Sequence, residues 1–172
     1  AYQTFHKAGA RFTMAFILRL PYAAIGNTWP LFDTSYKEGT SNFGRGLFLS
    51  AARDGTGKIA LSLLNTDAAS GLLFAKTTTY RSDLTDKFIF VAISANYTTP
   101  TNGLIFRLQD QNEIYDLSFT LPDNNDAYRS RPRLLVPTST STDFRIAAAA
   151  IWNRALSTAE FGALYTRVAQ SG

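Results

Sequence analysis

The chain has 172 residues, 45% apolar and 13% aromatic, with 17 Lys and Arg against 13 Asp and Glu, for a formal charge of +4. That apolar content at a domain-sized length excludes a disordered chain, and no apolar run reaches the roughly 18 residues a membrane-spanning helix needs. With no cysteine and one histidine, His6, the composition also excludes disulfide scaffolds, thiolate zinc sites and His-rich metal centres, and a Ser-His-Asp triad would have to use His6 near the N-terminus.

The chain opens Ala1-Tyr2-Gln3, without the basic and apolar stretches of a signal peptide. A cut domain, a mature secreted protein and a chain whose Met was removed before Ala1 all fit that start. From Arg11 to Leu20 the even positions Phe12, Met14, Phe16, Leu18 and Leu20 are all apolar, which predicts a half-buried strand with one core face, ended by Pro21. Gly46 to Ala52 and Lys58 to Leu64 predict the next pair, joined by a hairpin turn built on Asp54-Gly55. Phe88 to Ala95 is apolar on both alternations, as a strand covered on both faces would be.

Leu104 to Leu108 and Ile114 to Thr120 predict two more strands, joined by the turn Asp110-Gln111-Asn112-Glu113. Phe144 to Trp152 places Phe144, Ile146, Ala148, Ala150 and Trp152 at period 2, which outweighs the helix preference of its four alanines; the small Ala147–Ala150 run predicts close approach to a neighbouring layer. Ser157 followed by Glu160 is a capping box, and Phe161, Leu164, Tyr165 and Val168 make one helical stripe. Pro137 to Thr142 is a polar loop rather than a linker. The expectation is one all-β domain over residues 1–172, with its core at about 10–168, built as an antiparallel two-sheet β-sandwich with one short C-terminal helix.

The closing segment Ala150-Ile151-Trp152-Asn153-Arg154-Ala155-Leu156-Ser157, continued by Glu160 and Leu164-Tyr165, resembles the end of concanavalin A-like lectin/glucanase domains of the laminin-G and pentraxin type. Phe12 to Phe16 is similar to that family's first core strand, and Phe88 to Ala92 with Leu104 to Leu108 to its central pair. The resemblance implies a jelly-roll sandwich and non-catalytic carbohydrate recognition, with Ca²⁺ in rim loops. Within this signature Trp152 is expected to cap the core, and the helix to pack on the sandwich end.

Hydrolysis is disfavoured. A retaining glycosidase needs two carboxylates about 5–5.5 Å apart. The chain has three Glu (Glu38, Glu113, Glu160) and lacks the Glu-x-Asp-x-x-Glu strand of the family's glucanases. For calcium, the densest oxygen cluster is Asp123-Asn124-Asn125-Asp126, with Asp123, Asn125 and Asp126 as candidate ligands; the plainer reading is Asx turn chemistry.

Sugars stack on aromatic rings, so loop aromatics are the candidate platform: Trp29, Tyr36, Tyr80, Tyr97 and Tyr128. Trp29 alternatively starts a strand and packs in the core. Arg129, Arg131 and Arg133 alternate, so an extended chain would turn all three to one side, toward acidic glycans; the plainer reading is a solvated edge strand. A pI near 9.5 permits nucleic-acid binding, but +4 over this length is mild and no such module is visible.

The expected function is a carbohydrate-binding recognition or adhesion domain, extracellular or on a virion surface, whose partner is a glycan or surface polysaccharide. The alternative is an assembly or decoration protein contacting other virion or surface proteins. Weak monovalent sugar binding would make a homo-oligomer useful.

Overall fold

Two five-stranded antiparallel sheets face each other across an apolar core, as the period-2 runs predict. The computed structural model describes residues 9–20, 28–33, 46–67, 71–82, 84, 87–117, 133–134 and 144–170. Its elements are β1 (Arg11–Arg19), β2 (Thr28–Asp33), β3 (Gly46–Arg53), β4 (Ile59–Asp67), β5 (Gly71–Thr77), β6 (Phe88–Asn96), β7 (Leu104–Leu108), β8 (Gln111–Tyr115), β9 (Arg133–Leu134), β10 (Arg145–Trp152) and α1 (Thr158–Gln170). One sheet runs β10-β1-β6-β7-β8 and the other β5-β4-β3-β2-β9.

The even positions of β1 and the odd positions of β6 point inward and meet Trp29, Leu31, Leu47, Leu49, Leu61 and Leu63 of the opposite sheet. The odd positions of β1 were expected to be half exposed, yet Thr13 and Ala15 are buried too. The cause is α1. Its residues Phe161, Leu164, Tyr165 and Val168 pack with Ala15, Ile17, Phe90, Ala92 and Ile105 on the outer face of the first sheet. The helical stripe is the one expected, but the helix covers a sheet face rather than the sandwich end. It also explains why β6 is apolar on both alternations. Arg107 lies under the same helix, its guanidinium 5.2 Å from the Tyr165 ring, donating to the Gln109 carbonyl and to Asn112 Oδ1.

Two local expectations are corrected. The β7–β8 turn is the two-residue Gln109-Asp110 loop closed by the Leu108–Gln111 pair, so β8 starts at Gln111 and ends at Tyr115. Gln109 takes the left-handed conformation (φ 54°) that Gly or Asn usually fills. Both its backbone N–H and its side-chain carbonyl are tied to Phe90, at 2.8 Å each. Residues 118–120 of the expected strand lie outside the described residues.

The second correction concerns β10. Ile17 pairs with Ala148 and Leu18 with Ile146, so Ala147 is an extra residue in a bulge. The single apolar alternation of the sequence is thereby split between two layers. Phe144 and Ile146 pack on the inter-sheet core, whereas Trp152 joins the helix layer. Ala147 to Ala150 are exposed rather than closely covered.

Candidate functional site

Where β10 hands over to α1, the backbone must turn without losing its hydrogen bonds. Thr13, fully buried on β1, does this for two groups: its hydroxyl donates to the Arg154 carbonyl and accepts from the Leu156 N–H, both at 2.9 Å. Trp152 pairs with Thr13 in the ladder, so the same residue fixes the position of the indole. The capping box is formed as expected: Ser157 N–H and Oγ donate to Glu160 Oε2 at 2.8 and 3.0 Å, and Glu160 N–H donates to Ser157 Oγ at 3.3 Å. The other carboxylate oxygen accepts from Arg154 Nη1 at 2.6 Å. The Ser157 N–H and the Arg154 guanidinium hold the Glu160 carboxyl below its ordinary range, so it is ionised at neutral pH.

These residues border an open cleft of about 280 Å³ between the end of β10 and α1, walled by Trp152, Arg154, Leu156, Glu160, Leu164 and Arg167. This is near the lower end of the roughly 300–1,000 Å³ that ligand pockets span, the size for one ring rather than a polymer. The lining combines a half-buried indole, two guanidinium groups and one ionised carboxylate. That set can stack on a sugar ring, pair with an anionic substituent and accept from a hydroxyl.

The residues expected as a sugar platform are distributed otherwise. Trp29 is fully buried in β2 and offers no stacking face, so it is a core residue. Tyr97 is half-buried, its ring tilted against Phe12 at 6.4 Å and its hydroxyl shielded from solvent. The structure thus brings Trp29 and Tyr97 to one apolar core. Tyr80 is 38% exposed. Tyr36, Tyr128, Arg129 and Arg131, the calcium candidates Asp123, Asn125 and Asp126, and also His6 and Glu38, lie outside the described residues. For Arg133 only the backbone is described, as part of β9 paired with β2.

Among the described residues no group of three acidic or histidine side chains is placed to hold a metal. Asp110, Glu113 and Asp116 each serve the fold: Asp110 pairs with Arg81 at 3.2 Å, Glu113 accepts from the Thr79 N–H, and Asp116 accepts from the Asn102 N–H at 2.7 Å.

Sequence reasoning assigned Trp152 and Glu160 to structure and did not single out Arg154 or Arg167. The available signal was helical spacing: Glu160, Leu164 and Arg167 fall on one face of α1, beside the Trp-Asn-Arg end of β10.

No family model matches this chain, and no curated protein does. Among solved structures it is similar to the binding domain of botulinum neurotoxin DC in complex with rat synaptotagmin II, with a TM-score of 0.64 and 10% identity over 97% of this chain and 37% of that one. It is also similar to the botulinum neurotoxin serotype D binding domain, with a TM-score of 0.61 and 12% identity over 94% of this chain and 37% of that one. A third is a structure of botulinum neurotoxin type C, whose passage into cells depends upon interaction with two ganglioside molecules; there the TM-score is 0.60 and the identity 12%, over 92% of this chain and 36% of that one. The chain therefore spans little more than a third of the length of each of these structures, and at such identities the likeness establishes a shared β-sandwich fold.

Proposed function

We propose that this domain is a non-catalytic recognition module that binds an acidic sugar in the cleft between Trp152 and α1, on a sandwich of the concanavalin A-like, laminin-G/pentraxin type. The observation that carries this reading is the half-buried Trp152 indole walled in with Arg154 and Arg167, next to a Glu160 carboxylate already oriented by Ser157. A pyranose stacks its C–H face on the indole, its carboxylate or sulfate pairs with the guanidinium groups, and a ring hydroxyl donates to Glu160. Two further supports stand beside the geometry. The closing signature contains this same Trp-Asn-Arg segment, and the similar solved structures are binding domains.

Tyr36, Tyr128, Arg129 and Arg131, with calcium at Asp123, Asn125 and Asp126, enter the proposal as a second candidate set, all of it outside the described residues. The proposed setting is an extracellular or virion surface. No helix among the described residues is long and apolar enough to cross a membrane.

The test is a glycan array probed with the wild-type domain and with an Arg154→Ala/Arg167→Ala double variant, in calcium and again in EDTA. Hits confined to acidic glycans, lost in the double variant and kept in EDTA, support the cleft. Hits kept by the variant but lost in EDTA move the site to the calcium loop. A blank array for the folded wild type overturns carbohydrate recognition. The assembly reading would then take its place, and the observation favouring it is the exposed apolar run of β10, with Ile151 39% exposed at the sheet edge.

A further inference from the structure

β10 closes one end of its sheet: β1 pairs with one side of it, and among the described residues no strand pairs with the other. Such an edge presents a row of N–H and C=O groups ready for another strand, and proteins usually guard it with charge or proline. From Ile146 to Trp152 this edge carries neither, and Ala147 to Ile151 are exposed. With the bulged Ala147 left out, the residues in register with β1 run Arg145-Ile146-Ala148-Ala149-Ala150-Ile151-Trp152. The inner part reads the same from either end, with Arg145 at one end and Trp152 at the other. The faces match too. Ile146 and Ile151 stand opposite Leu18 and Met14, on the core side of the sheet, whereas Arg145 and Trp152 stand opposite Arg19 and Thr13, on the side that carries α1.

We infer that β10 pairs antiparallel with β10 of a second copy of this chain, about a two-fold axis at Ala149, so that the first sheets of the two copies become one continuous sheet. In that register Ala149 faces Ala149, Ala148 faces Ala150, Ile151 faces Ile146 and Trp152 faces Arg145, with each Ala147 outside the ladder as it already is against β1. Opposite residues of an antiparallel pair lie on one face, and each of these pairs does. A two-fold contact needs a surface that complements itself. This one sets apolar against apolar and, twice, a guanidinium against the electron-rich face of an indole, with no like charges opposed. An unrelated strand would have to bring this order of residues with it, whereas a second copy has it already. The pairing also sets Arg145 of the second copy beside Trp152, a wall of the cleft, and brings together two apolar grooves of about 200 Å³, each lined by Ala148, Ala150, Trp152, Leu164 and Val168. It needs no ligand in the cleft and so stands or falls apart from the carbohydrate reading.

The test is sedimentation velocity of the purified chain at increasing concentration. Wild type should pass from monomer to dimer. Ala149→Glu and Ala149→Lys, both at an exposed position, each oppose like charges at the axis and should stay monomeric alone; mixed, they should dimerise again. The chain has no cysteine, so Ala149→Cys carries a single thiol, which mild oxidation should couple to its mate, because directly opposed residues lie within disulfide reach. Ala150→Cys, whose thiol faces Ala148 instead, should couple far less. The cysteine pair decides the matter if the charged variants fail to fold. A wild type that stays monomeric at its highest soluble concentration overturns the dimer. A dimer undiminished in both charged variants overturns its placement at β10. Charged variants that do not recover on mixing, or equal coupling of the two cysteine variants, overturn the two-fold register.

Discussion

The Thr13 hydroxyl and the Leu156 N–H, 143 positions apart in sequence, form a buried hydrogen bond of 2.9 Å that pins the segment leading into α1 to β1 of the first sheet. The same hydroxyl donates to the Arg154 carbonyl, so one side chain satisfies two polar groups of the strand-to-helix turn. Thr13→Val keeps the shape and leaves the buried Leu156 N–H without a partner, whereas the part-buried Arg154 carbonyl can turn to water. The expected cost is about 1–3 kcal/mol for the stranded N–H. Thr13→Ser, which keeps the hydroxyl, should recover most of it. Urea unfolding of the two variants checks this, and equal midpoints for Thr13→Val and wild type would overturn it.

Glu160 makes the N-terminal cap of α1 sensitive to acid. Its folded carboxyl sits below the ordinary value because the Ser157 N–H and the Arg154 guanidinium favour the anion. A depressed carboxylate stabilises the fold fully above its unfolded pKa of about 4.3, and the benefit disappears as pH falls through the folded value. Wild type should therefore exceed Glu160→Gln in urea midpoint at neutral pH, and the gap should close in acid. A gap independent of pH would mean that the charge is irrelevant to the cap. Deleting the other half of the box, Ser157→Ala, should cost about 1 kcal/mol.

How far the sequence alone reaches is visible in β10. Period 2 is a property of the chain, so β1, β3, β4, β6 and β7, with their inward faces, and the stripe of α1 follow from residue order, whereas β5 (Gly71–Thr77) was not among the expected strands. A bulge is a property of two paired chains, and nothing in Phe144 to Trp152 marks Ala147 as the residue that switches layers. The cleft is hidden for a related reason. Thr13, Trp152, Arg154, Glu160 and Arg167 come from both ends of the chain, and Trp152 and Glu160 each have an adequate structural role when read alone. Trp29 shows the converse: beside Pro30 it has the neighbourhood of a loop aromatic, and only the pairing of β2 with β3 places it in the core.

Gly103 is a position where only glycine fits. An added Cβ would lie 2.6 Å from the Thr99 carbonyl oxygen and 2.8 Å from that of Asn96, both backbone atoms that cannot move aside cheaply. Those carbonyls belong to the turn joining β6 to β7, where the Asn96 N–H donates to the Gly103 carbonyl at 2.7 Å. Gly103→Ala should destabilise by about 1–3 kcal/mol, the range for forced overpacking. Gly55, in the β3–β4 hairpin, meets nothing within 4 Å, so Gly55→Ala is the matched control with little expected change. Thermal melts of the two variants compare them directly, and a Gly103→Ala melt matching that of Gly55→Ala would show that the turn relaxes.

Tyr115 joins the two sheets at their open side. Its hydroxyl donates to Glu113, which also accepts from the Thr79 N–H just after β5, and Lys76 Nζ sits 4.3 Å from the Tyr115 ring centre. Burial, and then the hydrogen bond and charge of Glu113, push the phenol up to about 12. A phenol raised in the folded state stabilises it fully below the unfolded value of about 10, and that contribution is lost as pH climbs through the folded value. Stability should thus fall between about pH 10 and pH 12 more steeply in wild type than in Tyr115→Phe. The ultraviolet difference titration between the two should show one phenol ionising near 12. Glu113→Gln removes the charge and should bring that ionisation down, though not to the free value, because burial is the larger cause. A midpoint unmoved by Glu113→Gln would assign the whole effect to desolvation and remove Glu113 from the link between the sheets.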